Sequence, residues 1–462
     1  MANLDELKTL LKGTLKRVDA LEAEVTSLRS ENSKLRERVS ELEGELVEEQ
    51  RKGKRQAAPF RRRKRKPKNE HKPSGRKPGH DPARKMEPPK VDSTVHTPLG
   101  KCCPGCGGCL SDRAEHIHHV IDIPPVVPVV TAHVTESATC LGCGQRWNSQ
   151  PTELPSFAAG AAGVMFGHRA AALATQLRTQ LGAPLRKIAA YFTQVFGLPI
   201  SHGGVLGLLK RVNSALEPTQ AHLVEQLRTA SRVCVDETGW RMANESAWAW
   251  VFTNSNTTCY VVDKGRAHGV VLSLLGPDFD GVLQSDCFLA YLPLPYKKAK
   301  CLAHILKSLK ELEALQTKGA VRFSRDATAL LKEAIGLERQ RESLHSEVYK
   351  ALCHSLEERL DRLLDRKITD PKNLKLAKRL RRYRREWLTF LYCEDVEPTN
   401  NLAERQIRAF VLQRKLSAGN RSEWGAALHA RIMSVFSTAT QRGVNFVDLL
   451  LRALAQPQLA HL

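Results

Sequence analysis

Arg232-Val233-Cys234-Val235-Asp236-Glu237-Thr238-Gly239-Trp240 opens the part of the chain on which the fold turns. An apolar run meets an acid, and two more such runs follow closely, Ala247 to Thr253 and Thr257 to Val262. Short segments rich in Val, Thr and aromatic residues, separated by turn-forming residues, predict consecutive strands. Connections this short allow only antiparallel pairing, so the three make a meander. A short helical run then leads to a fourth strand, Gly281 to Ser285, which ends at Asp286. Strands that first pair through short turns and then alternate with helix predict a mixed α/β domain.

Downstream, the residues after Lys300 are highly charged with helical periodicity, Leu374 to Arg385 among them, up to the turn signal Glu397-Pro398-Thr399-Asn400-Asn401. A last helical segment runs on from there, broken near Gly419 and Gly443. Glu404 stands one turn into it, and at 3.6 residues per turn Glu404, Arg408, Val411 and Lys415 share a stripe. Asp236, Asp286 and Glu404 thus each stand at the end of an element. Three carboxylates holding two divalent ions can activate a water or a 3′-hydroxyl and stabilise the leaving oxygen of an in-line phosphoryl transfer, with nearby cations on the phosphates. Each acid also has a plainer reading. Asp236 and Asp286 end strands at turns, Glu404 closes an Asn401-x-x-Glu404 capping box, and Glu237, Asp263, Asp278 and Asp280 compete for the same role. His304, in Cys301-Leu302-Ala303-His304, falls on a predicted helix within reach of the site and reads as a core or helix-surface histidine.

Upstream, the period is helical from Phe166 to about Arg228. One portion has the pattern of a helix-turn-helix: Pro184 at a helix start, Ile188, Ala189, Phe192 and Val195 on its apolar face, a turn from Gly197 to Ile200, and Ser201 as the next cap. A plain helical hairpin fits equally well. Before it stand two knuckles, Cys103-Pro-Gly-Cys106 and Cys140-Leu-Gly-Cys143, flanking a Val/Ile-rich stretch from His116 to Val134 that reads as strands broken by Pro124, Pro125 and Pro128. Four thiolates from two such knuckles suit one tetrahedral structural zinc, with Cys102 and Cys109 as spare thiols. Residues 51–90 hold 17 Lys/Arg against 3 Asp/Glu, or +14, with Arg61, Arg62, Arg63, Lys64, Arg65 and Lys66 in one block among prolines. Such a segment cannot bury a core and reads as a disordered arm that binds phosphates without reading sequence.

The first residues carry heptads. With Leu4 at a, the a positions are Leu4, Leu11, Val18, Val25, Asn32, Val39 and Leu46, and d is Leu except at Thr14. That is a coiled-coil seam, and a lone Asn at a favours a parallel dimer in fixed register. A single surface helix with an apolar stripe is the alternative.

The totals bound these readings. The chain has 462 residues, a net charge of +22, 42% apolar residues and 12 cysteines, six of them between Cys102 and Cys143. This length suggests about two to four domains. The cysteines are too few for a disulfide scaffold and clustered as for metal. The charge predicts a polyanion partner. No apolar run reaches the roughly 18 residues of a membrane span, and Met1-Ala-Asn-Leu-Asp-Glu-Leu-Lys8 reads as an amphipathic helix start, so the expected location is cytoplasmic.

Asp236-Glu-Thr-Gly-Trp240, Ser285-Asp-Cys-Phe-Leu-Ala-Tyr291 and Pro398-Thr-Asn-Asn-Leu-Ala-Glu-Arg405, followed by Arg414-Lys415 and Arg421-Ser422, together resemble the insertion sequence 66 family of bacterial transposases. The resemblance covers nearly the whole chain, including Gly75-Arg-Lys-Pro-Gly-His80. It implies a multidomain α/β protein with an RNase H-like catalytic core of the DDE type, whose triad is Asp236, Asp286 and Glu404, interrupted by a helical insertion. The implied divisions are a coiled coil at 1–48, a basic linker at 49–98, a zinc-ribbon-like module at 99–150 and a helical, helix-turn-helix-like domain at 151–230. The core follows at 231–296 and 397–442, split by the insertion at 297–396, with a C-terminal helix at 443–462.

The implied activity is nicking of the element's own DNA ends and strand transfer into target DNA. Two magnesium ions, replaceable by manganese, serve the triad, and one structural zinc sits on Cys103, Cys106, Cys140 and Cys143. Arg405, Arg408, Arg414 and Lys415, with Arg61 to Lys66, are the candidate DNA-binding cations. Double-stranded DNA, a second copy of the chain or a larger assembly, and accessory transposition proteins are the expected partners, and no membrane. Similar proteins often have Gly after the second Asp, where Cys287 is expected to crowd a tight turn. A DNA-binding regulator or scaffold without catalysis is the competing class.

Overall fold

A computed structural model of the chain describes residues 90–149, 165–316, 320–460 and 462, together with residues 21–33 and a few neighbours near the N-terminus. The chain divides into two units, Met1–Val120 and Ile121–Leu462. In the first, residues 21–33 are helical and leave Leu21, Val25 and Leu28 exposed. Leu4, Leu7, Leu11, Leu42 and Leu46 of the heptad seam and the arm from Arg61 to Lys66 lie outside the described residues.

The second unit begins with two three-residue strands, β1 (Ser137–Thr139) and β2 (Arg146–Asn148), paired antiparallel across Cys140–Cys143. The Val/Ile-rich stretch from His116 to Val134 does not form the strands its composition predicts. Pro124, Pro125 and Pro128 have no amide hydrogen to donate to a ladder, and Ile121, Val127, Val129 and Val130 stay exposed. Four helices follow: α1 (His168–Gln180), α2 (Leu185–Phe196), α3 (His202–Ala215) and α4 (Glu217–Arg228). The α2–α3 pair follows the predicted pattern at most points. Pro184 is the N-cap of α2, Gly197 closes it at φ 63°, and the Ser201 hydroxyl accepts from the Gly204 amide to cap α3. Ile188 and Phe192 are buried, whereas Val195 is exposed.

The sheet is built from β3 (Arg232–Met242), β4 (Glu245–Thr253), β5 (Thr258–Asp263), β6 (Val282–Ser285) and β7 (Lys297–Lys300), with α5 (His268–Leu275) between β5 and β6. Its order is β5-β4-β3-β6-β7. β3, β4 and β5 are antiparallel neighbours, as predicted, and β3, β6 and β7 run parallel. β7 is an addition to the predicted strands: residues 297–300, read from sequence as the start of the helical insertion, belong to the sheet.

The insertion proper comprises α6 (Leu302–Ala314), α7 (Val321–Glu338), α8 (Ser346–Asp365) and α9 (Pro371–Arg382), which share an apolar core around Leu309, Leu331, Leu360, Leu380 and Trp387. The chain returns through α10 (Asn401–Ser417), α11 (Glu423–Gln441) and α12 (Phe446–Ala455).

Period-2 alternation divides β3 between two cores. Val233 and Val235 join Trp250 and Phe252 in a core shared with α1 to α5, α11 and α12. Cys234 joins Val251, Tyr260 and the α10 residues Ala403, Ile407 and Phe410 in the other. Full burial of each large apolar side chain contributes roughly 1.5 to 3 kcal/mol. β5, at one edge of the sheet, is closed by hydroxyls of α11. Ser434 Oγ accepts from the Tyr260 amide at 2.8 Å, and Thr438 Oγ1 accepts from the Thr258 amide at 3.0 Å while donating to the Thr258 carbonyl at 3.1 Å.

Candidate active site

Alternation that sends Cys234 to the α10 side sends Asp236 there too. The parallel β3–β6 register pairs Cys234 with Gln284, so Asp236, within β3, and Asp286, just past the end of β6, each lie two residues beyond the last paired position of these adjacent strands. Glu237 goes to the opposite face, where its carboxylate accepts from the Tyr291 hydroxyl at 2.5 Å and pairs with Arg266 at 2.8 Å. Arg266 lies over the rings of Trp248 and Phe288. The pleat therefore separates Glu237 from its neighbour's role. Asp263, Asp278 and Asp280 are exposed, the last two at the entry end of β6.

The third acid is brought back by a pinned turn. Gln284 Nε2 donates to the carbonyls of Glu397 at 2.6 Å and Thr399 at 3.1 Å, and the Leu302 amide donates to the Pro398 carbonyl at 2.9 Å. Asn400, buried, donates through Nδ2 to the Val235 carbonyl at 2.9 Å and through its backbone amide to Cys301 Sγ at 3.1 Å. The segment from Glu397 to Asn400 is thus fixed to β3, β6 and the start of α6. It sets Glu404 in the first turn of α10, over the face that holds Asp236. The capping-box reading of Glu404 does not survive: Asn400, not Asn401, is the N-cap, and its side chain is spent on β3.

Asp236 is pushed up to about 7, first by burial and then by the charges of Glu237, Asp286 and Glu404, although its Oδ1 accepts from the Glu237 amide at 2.9 Å. Asp286 Oδ1 accepts from the Phe288 amide at 2.9 Å, which fixes the turn after β6. Behind that turn the buried Lys300 donates to Ser285 Oγ at 2.9 Å and pairs with Glu386 at 3.4 Å. Cys287 is not in the left-handed region, and its carbonyl accepts from the Tyr383 hydroxyl at 2.9 Å, so no glycine is required there.

His304 is exposed on α6, as its reading as a helix-surface histidine has it, and it also approaches Glu404. Its Nε2 lies 3.8 Å from Glu404 Oε1, and possible ligand atoms of Cys301, His304 and Glu404 fall within 4.8 Å of one another. Cys301 and neighbouring carboxylates raise its pKa to about 9 against the opposing effect of burial. The spacing Cys301-x-x-His304 on one helix start was the signal available in the sequence.

Of the candidate DNA-binding cations, Arg405, Arg408 and Lys415 are exposed on α10. Arg414 turns inward instead, onto Thr238 Oγ1 at 3.2 Å and the Gly239 carbonyl, and so clamps β3. Arg61 to Lys66 lie outside the described residues.

The two cysteine knuckles have the same local build. In the first unit the Cys103 amide donates to Gly108 O at 2.8 Å and the Gly107 amide, at φ 76°, returns to Cys103 O at 2.9 Å. In the second, the Cys140 amide donates to Gln145 O at 2.9 Å and the Gly144 amide, at φ 71°, to Cys140 O at 2.8 Å. Both first thiols lie below their ordinary range because backbone amides point at sulfur: those of Gly105 and Cys106 for Cys103, and of Cys143 and Gly142 for Cys140. Each knuckle thus fits a soft cation that binds thiolate.

Among the described residues, the donors that come close enough together to hold a metal ion are those of Cys301, His304 and Glu404. The fold is that of a mixed α/β protein with a five-stranded mixed sheet, and Asp236 and Asp286 stand on its adjacent strands β3 and β6. The family model described as Transposase IS66 family matches residues 163–428, and the chain belongs to that family. It is accordingly a transposase, an enzyme that acts on DNA and uses divalent metal. No curated protein matches the chain.

Proposed function

We propose that the protein binds the ends of its mobile element and catalyses DNA nicking and strand transfer by a DDE mechanism at Asp236, Asp286 and Glu404. The observation that carries this reading is the β3–β6 register, which sets the two aspartates side by side under the helix of the glutamate. Magnesium held by these carboxylates supplies the Lewis acidity that activates a water or 3′-hydroxyl and offsets charge on the leaving oxygen. Asp236, Asp286 and Glu404 are the residues to hold it. Asp236 would hold it as a carboxylate, and His304, at the start of α6, lies 3.8 Å from the Glu404 carboxylate. Arg405, Arg408 and Lys415 face solvent on α10, where they are available to phosphates.

The same reading takes the five-stranded sheet as an RNase H-like core divided by the insertion. It assigns structural zinc to Cys103, Cys106, Cys140 and Cys143, parallel pairing to the N-terminal heptads, and DNA affinity to the basic arm. No helix among the described residues is long and apolar enough to cross a membrane.

The test is nicking and joining on duplexes that carry the flanking element ends, with Asp236→Asn, Asp286→Asn and Glu404→Gln compared with the wild type. Wild-type activity with magnesium, and variants that fold and bind but do not react, are expected. Full activity in any one variant removes that residue from the site. A wild type that binds the ends and stays inert favours a regulator or scaffold.

A further inference from the structure

Helix α9 has two unlike faces. Asn373, Leu376, Ala377 and Leu380 are buried in the core of the insertion. At 100° per residue, Lys372, Lys375, Lys378, Arg379 and Arg382 occupy the opposite arc, and all five are exposed. No acid lies between Pro371 and Arg382, and the flanking Asp370 is spent on capping the helix through the Asn373 amide. Like charges at this spacing weaken a helix on its own.

Elsewhere in the same block several arginines are matched across helices. Arg325 pairs with Glu313 at 2.9 Å, Arg359 with Glu333 at 2.6 Å, Arg366 with Asp326 at 2.6 Å, and Arg384 with Asp361. Among the described residues none of the five on α9 has a carboxylate partner, and Arg382 meets the Tyr383 hydroxyl. The position of this face matters as much as its charge. The Tyr383 hydroxyl, one residue past the helix, binds the Cys287 carbonyl, and the Arg379 charge acts on the Cys287 thiol. The unmatched face therefore adjoins the turn that carries Asp286.

We propose that the exposed face of α9 is a phosphate track for duplex DNA, formed by Lys372, Lys375, Lys378, Arg379 and Arg382, that leads a strand to the Asp286 turn. Spaced cations on a rigid helix match a polyanion of regular charge spacing, and the track reads no bases. It rests on the active-site reading only in where it leads.

The test uses the full chain and a generic duplex oligonucleotide, with affinity measured across a salt series. Lys372, Lys375, Lys378 and Arg379 are changed together to Gln, which keeps helix propensity. The slope of log affinity against log salt is expected to become less steep by about 0.9 for each phosphate released, roughly two to four in all. Lys350→Gln with Arg362→Gln, which removes cations already paired with acids on α8, leaves the slope unchanged. Lys372→Arg, Lys375→Arg and Lys378→Arg together keep it. An unchanged slope in the Gln variant, or an equal loss in the Arg variant, overturns the track. Wild-type nicking read in parallel separates this inference from the triad. An inert wild type with the expected slope change fails the triad alone, and an active one without it fails the track alone.

Discussion

Replacing His429 by phenylalanine is expected to remove an acid-labile element from beneath the helix of Glu404. The His429 ring, buried on α11, stacks on Phe410 of α10 at 4.8 Å and 23°, and lies 5.7 Å from Trp240. Its Nδ1 has no hydrogen-bond partner. Burial, and then the Arg178 charge, holds its pKa down at about 3. Because this lies below the ordinary value near 6.5, the unfolded chain takes up the proton first as pH falls. The associated stability is complete above about pH 6.5 and is lost progressively toward pH 3. At roughly 1.4 kcal/mol per pH unit, the loss is about 2 kcal/mol at about pH 5 and about 3 kcal/mol at about pH 4. Phenylalanine keeps an aromatic partner for Phe410 and carries no proton and no orphaned nitrogen. Urea denaturation of the metal-free protein, followed by tryptophan fluorescence, should give a stability gap between variant and wild type that widens by about 2 kcal/mol from about pH 7 to pH 5. A gap that does not change with pH refutes the assignment of this acid sensitivity to His429.

Two further predictions concern the carboxylates and their support. Asp236 has a folded pKa raised to about 7 from an ordinary 3.8, so its ionisation opposes folding increasingly between those values, and Asp236→Asn should stabilise the metal-free protein by up to about 4 kcal/mol above pH 7 and little below pH 4. Thermal melts with and without magnesium check this: magnesium is expected to raise the wild-type midpoint and leave the variant's unchanged, and equal shifts contradict it. Asn400→Ala leaves the buried Val235 carbonyl without its donor, a loss of about 1 to 3 kcal/mol, and should slow nicking well beyond the exposed neighbouring change Asn401→Ala. Equal effects of the two in denaturation and nicking assays would show that the pinned turn does not position Glu404.

What the sequence disclosed, and what it hid, follows from how local each signal is. The meander and β6 were legible because Val233, Cys234 and Val235 lead into an acid and the next runs follow within hairpin distance. β7 was not, since Lys297-Lys298-Ala299-Lys300 has the composition of a solvated segment. Its burial depends on Glu386, which receives Lys300 from far along the chain. The opposite error occurred at His116–Val134, where β-branched composition outweighed the missing amides of three prolines. Where Arg414 and His304 point was not legible, because charge and residue type do not reveal direction. One turns into β3, and the other is brought to Glu404 by a turn fixed through Asn400 and Gln284. Asp236, Asp286 and Glu404 were singled out by motif, while the exclusion of Glu237 needed only the alternation of a strand.

The helix that carries Glu404 also covers one side of the sheet, through Ala403, Ile407 and Phe410 on Cys234, Val251 and Tyr260. A chain that stops anywhere in the insertion retains both aspartates but leaves that oily surface bare. Incomplete copies of the protein are therefore expected to be poorly soluble. Partly folded, they are expected to be open to aggregation and proteolysis.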